Sequence, residues 1–352
     1  MTEVPPRDDP TSIYYDETIE QSSLLERYKE ALFAAVLSVW RPWRRRIVNR
    51  TRSGLERLAG RGVRATQTKA FQHILDRQAD AIDKAFADLQ RMLTRELREM
   101  AVLEIGFAEQ TLEKVLPEVV LGKLEPGAAK RVVSQRPFEG QVLKKHFDRL
   151  NRETREALER SVKQGITNGE SLTQIVARVR ERAGGALQIT ERNLRSMVHT
   201  AVNTASNAAR LEVFRANAAN IAWVRWVTTL DSSACQACVA FDGRRWRPND
   251  PTIVVPSLHY GCRCDLVPEV AGAPAGERAS VSGPVPGDMT YDDWLRLQSV
   301  DVQNDVLGKK RAEMWRSGKL RNLDPRLLLN ANNRPVTLDV LRKRLERRRR
   351  RT

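Results

Sequence analysis

The chain has 352 residues, 41% of them apolar and 30% charged. That length suggests about two domains and a core large enough to fold without a disulfide framework. Sixty basic against 44 acidic residues leave a net charge of +16, and arginine, with its rigid bidentate fork, supplies most of the basic side chains. No run of 18 apolar residues occurs, which argues against a membrane span. The acidic, Pro-rich start lacks the apolar stretch of a secretory signal. Four cysteines, all between 235 and 264, are too few for a disulfide scaffold and read as one local site in a reducing compartment.

In chain order, residues 1–22 read as an acidic mobile arm. A helical region covers 23–130. Leu24, Leu25, Tyr28, Leu32, Val36 and Trp40 recur at helical spacing, and Pro42 is expected to break or kink that helix. A second long helix is expected from about Gln67 to Glu104, with Phe71, Ile74, Ile82, Phe86, Leu89, Leu93 and Leu97 on one face. Pro117 and the stretch from Leu121 to Ala129 mark a boundary. Three more helices follow: Val142 to Gln164, Leu172 to Arg182 and Thr190 to Asn217. Ser171 and Gln174 form a capping-box pattern at the start of the second. The alanines of the third are most simply read as a close-packing face.

The period then changes. Trp223 to Leu230 is β-branched and aromatic and reads as a strand. Asp242-Gly243 is a tight-turn signal, with a return strand over Arg244 to Arg247. Residues 269–287 read as a Pro/Gly/Ala linker, 288–340 as a helical module and 341–352 as a basic tail. The fold class expected is α+β, predominantly helical, with a small β-hairpin unit.

Two segments hold nearly all the net charge. Residues 41–64 carry nine arginines against Glu56, and residues 341–352 carry eight basic residues against Glu346. Concentrated basic blocks suit a polyanion. Arg41, Arg44, Arg45, Arg46, Arg50, Arg52, Arg347, Arg348, Arg349, Arg350 and Arg351 are the candidate contacts for sequence-independent DNA binding. The five consecutive arginines of the tail are expected to be disordered when free. Trp40 and Trp43 fit a core stripe better than a base-stacking platform.

The most specific local feature is Cys235-Gln-Ala-Cys238 followed by His259-Tyr-Gly-Cys262-Arg-Cys264. A CxxC pair brings two thiolates within reach of one ion, and the later segment offers three further donors. Tetrahedral structural zinc needs four N or S ligands, so Cys235, Cys238, His259, Cys262 and Cys264 exceed the requirement by one. Spacing does not say which of the last three is left over. Reduced buried cysteines, or a disulfide formed on oxidation, are the alternatives. A nuclease or cysteine nucleophile would need further histidines, and only His259 lies in the cluster. No phosphate-cradling glycine loop or HExxH motif occurs, so neither an enzyme nor a small-molecule substrate is expected.

Three stretches together resemble the head morphogenesis or minor head proteins of tailed phages, the Mu F-like family. The first is His199-Thr-Ala-Val-Asn-Thr-Ala-Ser-Asn-Ala-Ala-Arg210, where His199 replaces the family's arginine. The second runs from Val224 to Asp231, through Cys235, Cys238 and Phe241-Asp-Gly243, to Pro256-Ser-Leu-His-Tyr-Gly-Cys-Arg-Cys264. The third comprises Tyr291-Asp-Asp-Trp294, Gln298, Val306-Leu-Gly308, Arg311 and Gly318. The resemblance covers about 140–340 and places a family domain at 138–268. It implies a non-enzymatic minor capsid protein made in a bacterial host cytoplasm and located in the virion, inside the capsid or at the portal vertex. Such a protein would bind the portal protein and other capsid components and affect DNA packaging or delivery. A zinc-containing DNA-binding regulator is the alternative; it explains the charge and the cysteines but not the order of the motifs.

Overall fold

A computed structural model of the chain describes residues 10–58, 68–180, 185–270 and 277–349. Its helices are α1 (Pro10–Glu56), α2 (Lys69–Val115), α3 (Ala128–Gln135), α4 (Leu143–Thr167), α5 (Leu172–Arg180), α6 (Ala186–Ala216), α7 (Gln236–Phe241), α8 (Tyr291–Arg296), α9 (Val300–Leu307), α10 (Lys309–Arg316), α11 (Pro325–Leu328) and α12 (Leu338–Arg349). The strands are β1 (Ile221–Val227), β2 (Arg245–Trp246), β3 (Asp265–Val270), β4 (Glu277–Ser280) and β5 (Gly283–Pro286). The α+β, mainly helical class is therefore as the periodicities indicate. Among the described residues, no helix is long and apolar enough to cross a membrane.

The chain forms two compact units. One comprises residues 26–100 and 130–202. Here the apolar stripes of α1, α2 and α4 meet. Leu32, Val36, Trp40 and Ile47 of α1, and Ile82, Phe86, Leu89, Leu93 and Leu97 of α2, are all buried. Trp40 meets Phe86 edge-on at 5.9 Å between ring centroids, and Phe86 meets Phe147 of α4 at 6.5 Å. The capping box opening α5 is present: the Ser171 amide donates to Gln174 Oε1 at 2.7 Å, and the Gln174 amide donates to Ser171 Oγ at 3.3 Å. Of the break or kink expected at Pro42, the break does not occur: α1 continues through Pro42, which lies on an exposed face. The apolar stripe on either side of Pro42 is buried, and tertiary packing of that stripe outweighs one lost backbone donor.

The second unit comprises residues 1–25, 101–129 and 203–352. A three-stranded antiparallel sheet in the order β2-β1-β3 lies at its centre. Val224 of β1 stands opposite Trp246 of β2 and Pro268 of β3. Trp226, Phe241, Trp246, Trp294 and Trp315 share one buried cluster with Leu112 and Phe214. The helical module after residue 288 consists of α8 to α12, opened by a full capping box between Thr290 and Asp293.

Three expectations are corrected. The mobile arm is helical from Pro10 onward, while 1–9 lie outside the described residues. Its last residues are tied down by charge: Gln21 Nε2 donates to Glu104 at 2.5 Å, Ser22 Oγ donates to Asp265 at 3.1 Å, and Glu17 pairs with Lys114 at 2.6 Å. The expected linker contains the β4–β5 hairpin, which presents the buried Arg278 to the sheet; residues 271–276 lie outside the described residues. The basic tail is helical through Arg349, because Leu341 is buried and anchors α12, and Arg344 caps the carbonyls of Arg326, Leu327 and Leu329. Arg350 and Arg351 lie outside the described residues.

Candidate metal centre

The five candidate ligands, which lie between β1 and β3 in the chain, come together in one cluster. Cys235 is the N-cap of α7, and its Sγ accepts from the Cys238 amide at 3.4 Å. A CxxC spacing at a helix start thus sets both sulfurs on the same side of one turn. After α7, Asp242 and Gly243 reverse the chain into β2, with Gly243 at φ 75°, a conformation natural to glycine. The second segment arrives as a turn: the Cys262 amide donates to the His259 carbonyl at 3.3 Å, and Gly261 takes φ 76°. Cys262 and Cys264 then lead directly into β3.

Cys238, His259 Nε2 and Cys235 lie within 4.8 Å of one another, as do Cys238, Cys262 and Cys264. Cys238 Sγ is 3.1 Å from His259 Nε2 and 3.7 Å from Cys262 Sγ. A tetrahedral zinc with sulfurs at about 2.3 Å has S–S edges of about 3.8 Å, so the second distance matches a ligand edge. His259 Nδ1 donates to the Tyr260 carbonyl at 2.8 Å, which fixes the tautomer that leaves Nε2 facing the sulfurs. All four cysteines are free thiols; Cys235 is half-buried and the other three are buried. The cluster can hold a metal, and its donor set is the soft N/S set that zinc takes.

Protonation within the cluster is shared. Hydrogen bonding to Cys238, followed by that to His259, lowers the Cys235 pKa to about 4. Cys262 is lowered well below the usual thiol range, first by its bond to Cys238. Cys238 is raised, chiefly by the same contact with Cys235, and burial raises Cys264. His259 is raised to about 11 by its bonds to Cys235 and then Cys262. The cluster thus favours thiolates at Cys235 and Cys262 beside an imidazolium, with Cys238 and Cys264 kept as thiols.

Polar clamps hold the two cysteine segments in place. On α6, Asn203, Ser206, Asn207 and Arg210 form a polar stripe at helical spacing. Asn203 Nδ2 and Asn207 Nδ2 both donate to the Cys264 carbonyl at 3.2 Å, and Asn207 Oδ1 accepts from the Leu266 amide at 2.7 Å. Arg210 is fully buried, 3.2 Å from Glu104 and 2.9 Å from Asp265. On the other side, the Asp242 carboxylate accepts from the Thr228 amide at 2.7 Å, the Tyr291 amide at 2.6 Å and Arg278 at 2.9 Å. Thr228 Oγ1 donates to the Cys238 carbonyl at 3.0 Å and lies 3.5 Å from Cys264 Sγ. Sequence reasoning missed these roles. The stripe at 203, 206, 207 and 210 was a usable signal, whereas Arg278 lay in what reads as a linker.

A family model described as phage Mu protein F like protein matches residues 156–267. Residues 156–267 are thus similar to the phage Mu protein F-like family. This Mu F-like span begins in α4 and ends in β3, so it takes in the α6 stripe and every candidate ligand. Neither the curated proteins nor the solved structures give a match.

The basic candidates are dispersed. Arg41, Arg45 and Arg52 are exposed on one side of α1. Arg44 is half-buried and pairs with Glu191 at 2.9 Å, and Arg46 stacks on the Trp43 ring at 4.5 Å. Trp43 Nε1 donates to Asp88 at 2.9 Å, so both tryptophans of this block serve packing. Arg347 and Arg348 are exposed on α12.

Proposed function

We propose that this chain is a non-enzymatic minor capsid protein of a tailed phage, located inside the capsid or at the portal vertex. In this reading it contacts the portal protein and other capsid components, and binds packaged DNA without regard to sequence. The observation that carries the proposal is the Mu F-like match, which spans the α6 stripe and the metal centre. The motif order seen in the sequence continues beyond that match into α8 and α9.

The centre is read as structural zinc held by Cys235, Cys238, His259 and Cys262. Cys264 is assigned as the fifth, non-ligating thiol, because it is fully buried and its neighbours are Thr228, Cys238 and Cys262 rather than Cys235 or His259. Bound zinc would supply a cross-link between the α7 turn and the entry to β3, stabilising a fold rather than activating water. Four donors would be committed to metal and the fifth, the Cys264 thiol, is buried away from solvent, which suits a structural rather than a catalytic centre.

Exposed arginines of α1 and α12 are read as phosphate contacts, for which counterion release is the driving force. The test is co-expression with the portal protein of the same phage genome, followed by affinity capture and sizing. A stable complex of this chain with the portal oligomer is expected. A chain that never accompanies the portal, or that cleaves DNA by itself, refutes the reading.

A further inference from the structure

A pocket in the unit formed by 26–100 and 130–202 extends the DNA contact proposed above, and rests on it. Helices α1 and α2 approach closely at Gly54, where an added Cβ would lie 2.8 Å from Ile74 Cγ2. That approach brings two arginine-bearing surfaces together around a cavity of 230 Å³. Its polar lining is Asn49, Arg50, Ser53 and Arg57 from the α1 side and Arg77 and Gln78 from α2.

This lining is one-sided in charge. Three arginines line it, and among the described residues no carboxylate does. The nearby carboxylates Asp76 and Asp80 accept from Gln72 and Lys84 instead. Among the described residues, Arg50 reaches the Arg77 carbonyl at 3.5 Å and no carboxylate. Gln78 is 2% exposed, and its Oε1 has no hydrogen-bond partner. Like charges gathered around one pocket cost stability, and an anion in the pocket would relieve that cost.

We propose that this pocket seats a backbone phosphate of DNA, with Arg50, Arg57 and Arg77 as donors. Its volume is below the roughly 300 Å³ at which small-molecule pockets begin, which suits one anionic group rather than a cofactor. Three guanidinium forks match an oxyanion with several acceptor oxygens better than the two oxygens of a protein carboxylate. Arg46 lies one turn before Arg50, about 6 Å along the axis, and continues the basic surface toward a neighbouring phosphate. Arg77 is thereby assigned a role although it lies outside both basic blocks of the sequence.

The experiment is fluorescence anisotropy of the full chain with a labelled random-sequence duplex across a salt series. Arg77→Gln and Arg57→Gln are compared with Arg91→Gln, which removes the same charge from an exposed position on α2. Each pocket variant should weaken binding about eightfold near 0.1 M salt and lower the log–log salt slope by about 0.9, the share of one phosphate. Arg91→Gln should change neither substantially. If Arg77→Gln fails to fold, Arg57→Gln beyond the end of α1 carries the test alone. Pocket variants that behave like Arg91→Gln, while the wild type binds DNA, overturn the pocket. A wild type that does not bind DNA overturns the DNA reading itself. Two further probes are run at matched ionic strength. Stabilisation by inorganic phosphate that needs Arg77, with unchanged DNA affinity, would assign the pocket to free phosphate and refute this proposal. Binding of polyglutamate, but not DNA, that depends on Arg77 would assign it to an acidic protein and refute it equally.

Discussion

The two units of the chain are stabilised by different physics. In the unit of 26–100 and 130–202, long helices meet through apolar stripes such as Trp40, Phe86 and Phe147. In the unit that contains the candidate metal centre, buried polar groups meet across long sequence separations: Glu104 with Arg210, Arg210 with Asp265, Asp242 with Arg278. An apolar stripe tolerates volume-conserving exchange, whereas a buried ion pair tolerates the loss of neither partner. The first unit should therefore weaken by degrees under mutation, and the second should fail sharply at a few positions.

The largest expected effect falls on the centre. If the proposed zinc is bound, Cys238→Ser, or treatment with a strong chelator, should cost on the order of 10 kcal/mol in the unit of the candidate centre. Near-ultraviolet dichroism from Trp226 and Trp246 should collapse while the helices of 26–100 keep their far-ultraviolet signal. Equal loss in both units would break the comparison.

Next comes Arg278→Ala, which leaves the Asp242 carboxylate buried without its cation. A loss of about 3–5 kcal/mol is expected, measured by urea unfolding followed through tryptophan fluorescence. Arg210→Ala should behave alike, with Glu104 stranded. A loss under about 1 kcal/mol for both would put these pairs in the class of surface salt bridges.

In the helical unit, Leu89→Ala deletes a fully buried side chain from α2. A cost of about 3 kcal/mol is expected, set by the cavity left behind. Hydrogen exchange should show it in α1 and α2 rather than in β1 and β3.

The smallest effect is one of pH. His146 is buried, stacked on Phe138 at 3.9 Å, with Nε2 donating to the Phe138 carbonyl at 2.9 Å. Burial, the largest cause, lowers its pKa. An unfolded chain then binds a proton more readily than the folded one below about pH 6.5. The stability gained is present above that pH and lost as pH falls through the lower folded value. Hydrogen exchange of α4 amides should accelerate on mild acidification, and do so less in His146→Gln.

The same contrast explains what was legible in the sequence. Stripes at spacings of three and four revealed α1, α2, α4 and α6, because local period reports which face is buried. The cysteine spacing announced a site, and β1 with its Asp242-Gly243 reversal was visible from β-branched and turn residues. The clamps were illegible for a physical reason: an ion pair such as Asp242 with Arg278 joins residues whose only link is three-dimensional. Arg278 stands among Gly and Pro residues that read as linker, and its burial follows from a strand pairing with no strong apolar signal. The helical start from Pro10 was hidden likewise, since partners such as Glu104 and Asp265 are distant in sequence. The pocket arginines were half visible: Arg50 and Arg57 sit in the basic block, while Arg77 lies on a helix of mixed charge.

The most direct test of the claim that the Mu F-like region folds around a metal cross-link is native mass spectrometry of the reduced full chain. One zinc per chain is predicted, retained in Cys264→Ser and lost in Cys235→Ser, Cys238→Ser, His259→Ala and Cys262→Ser. A folded chain without metal would contradict the account.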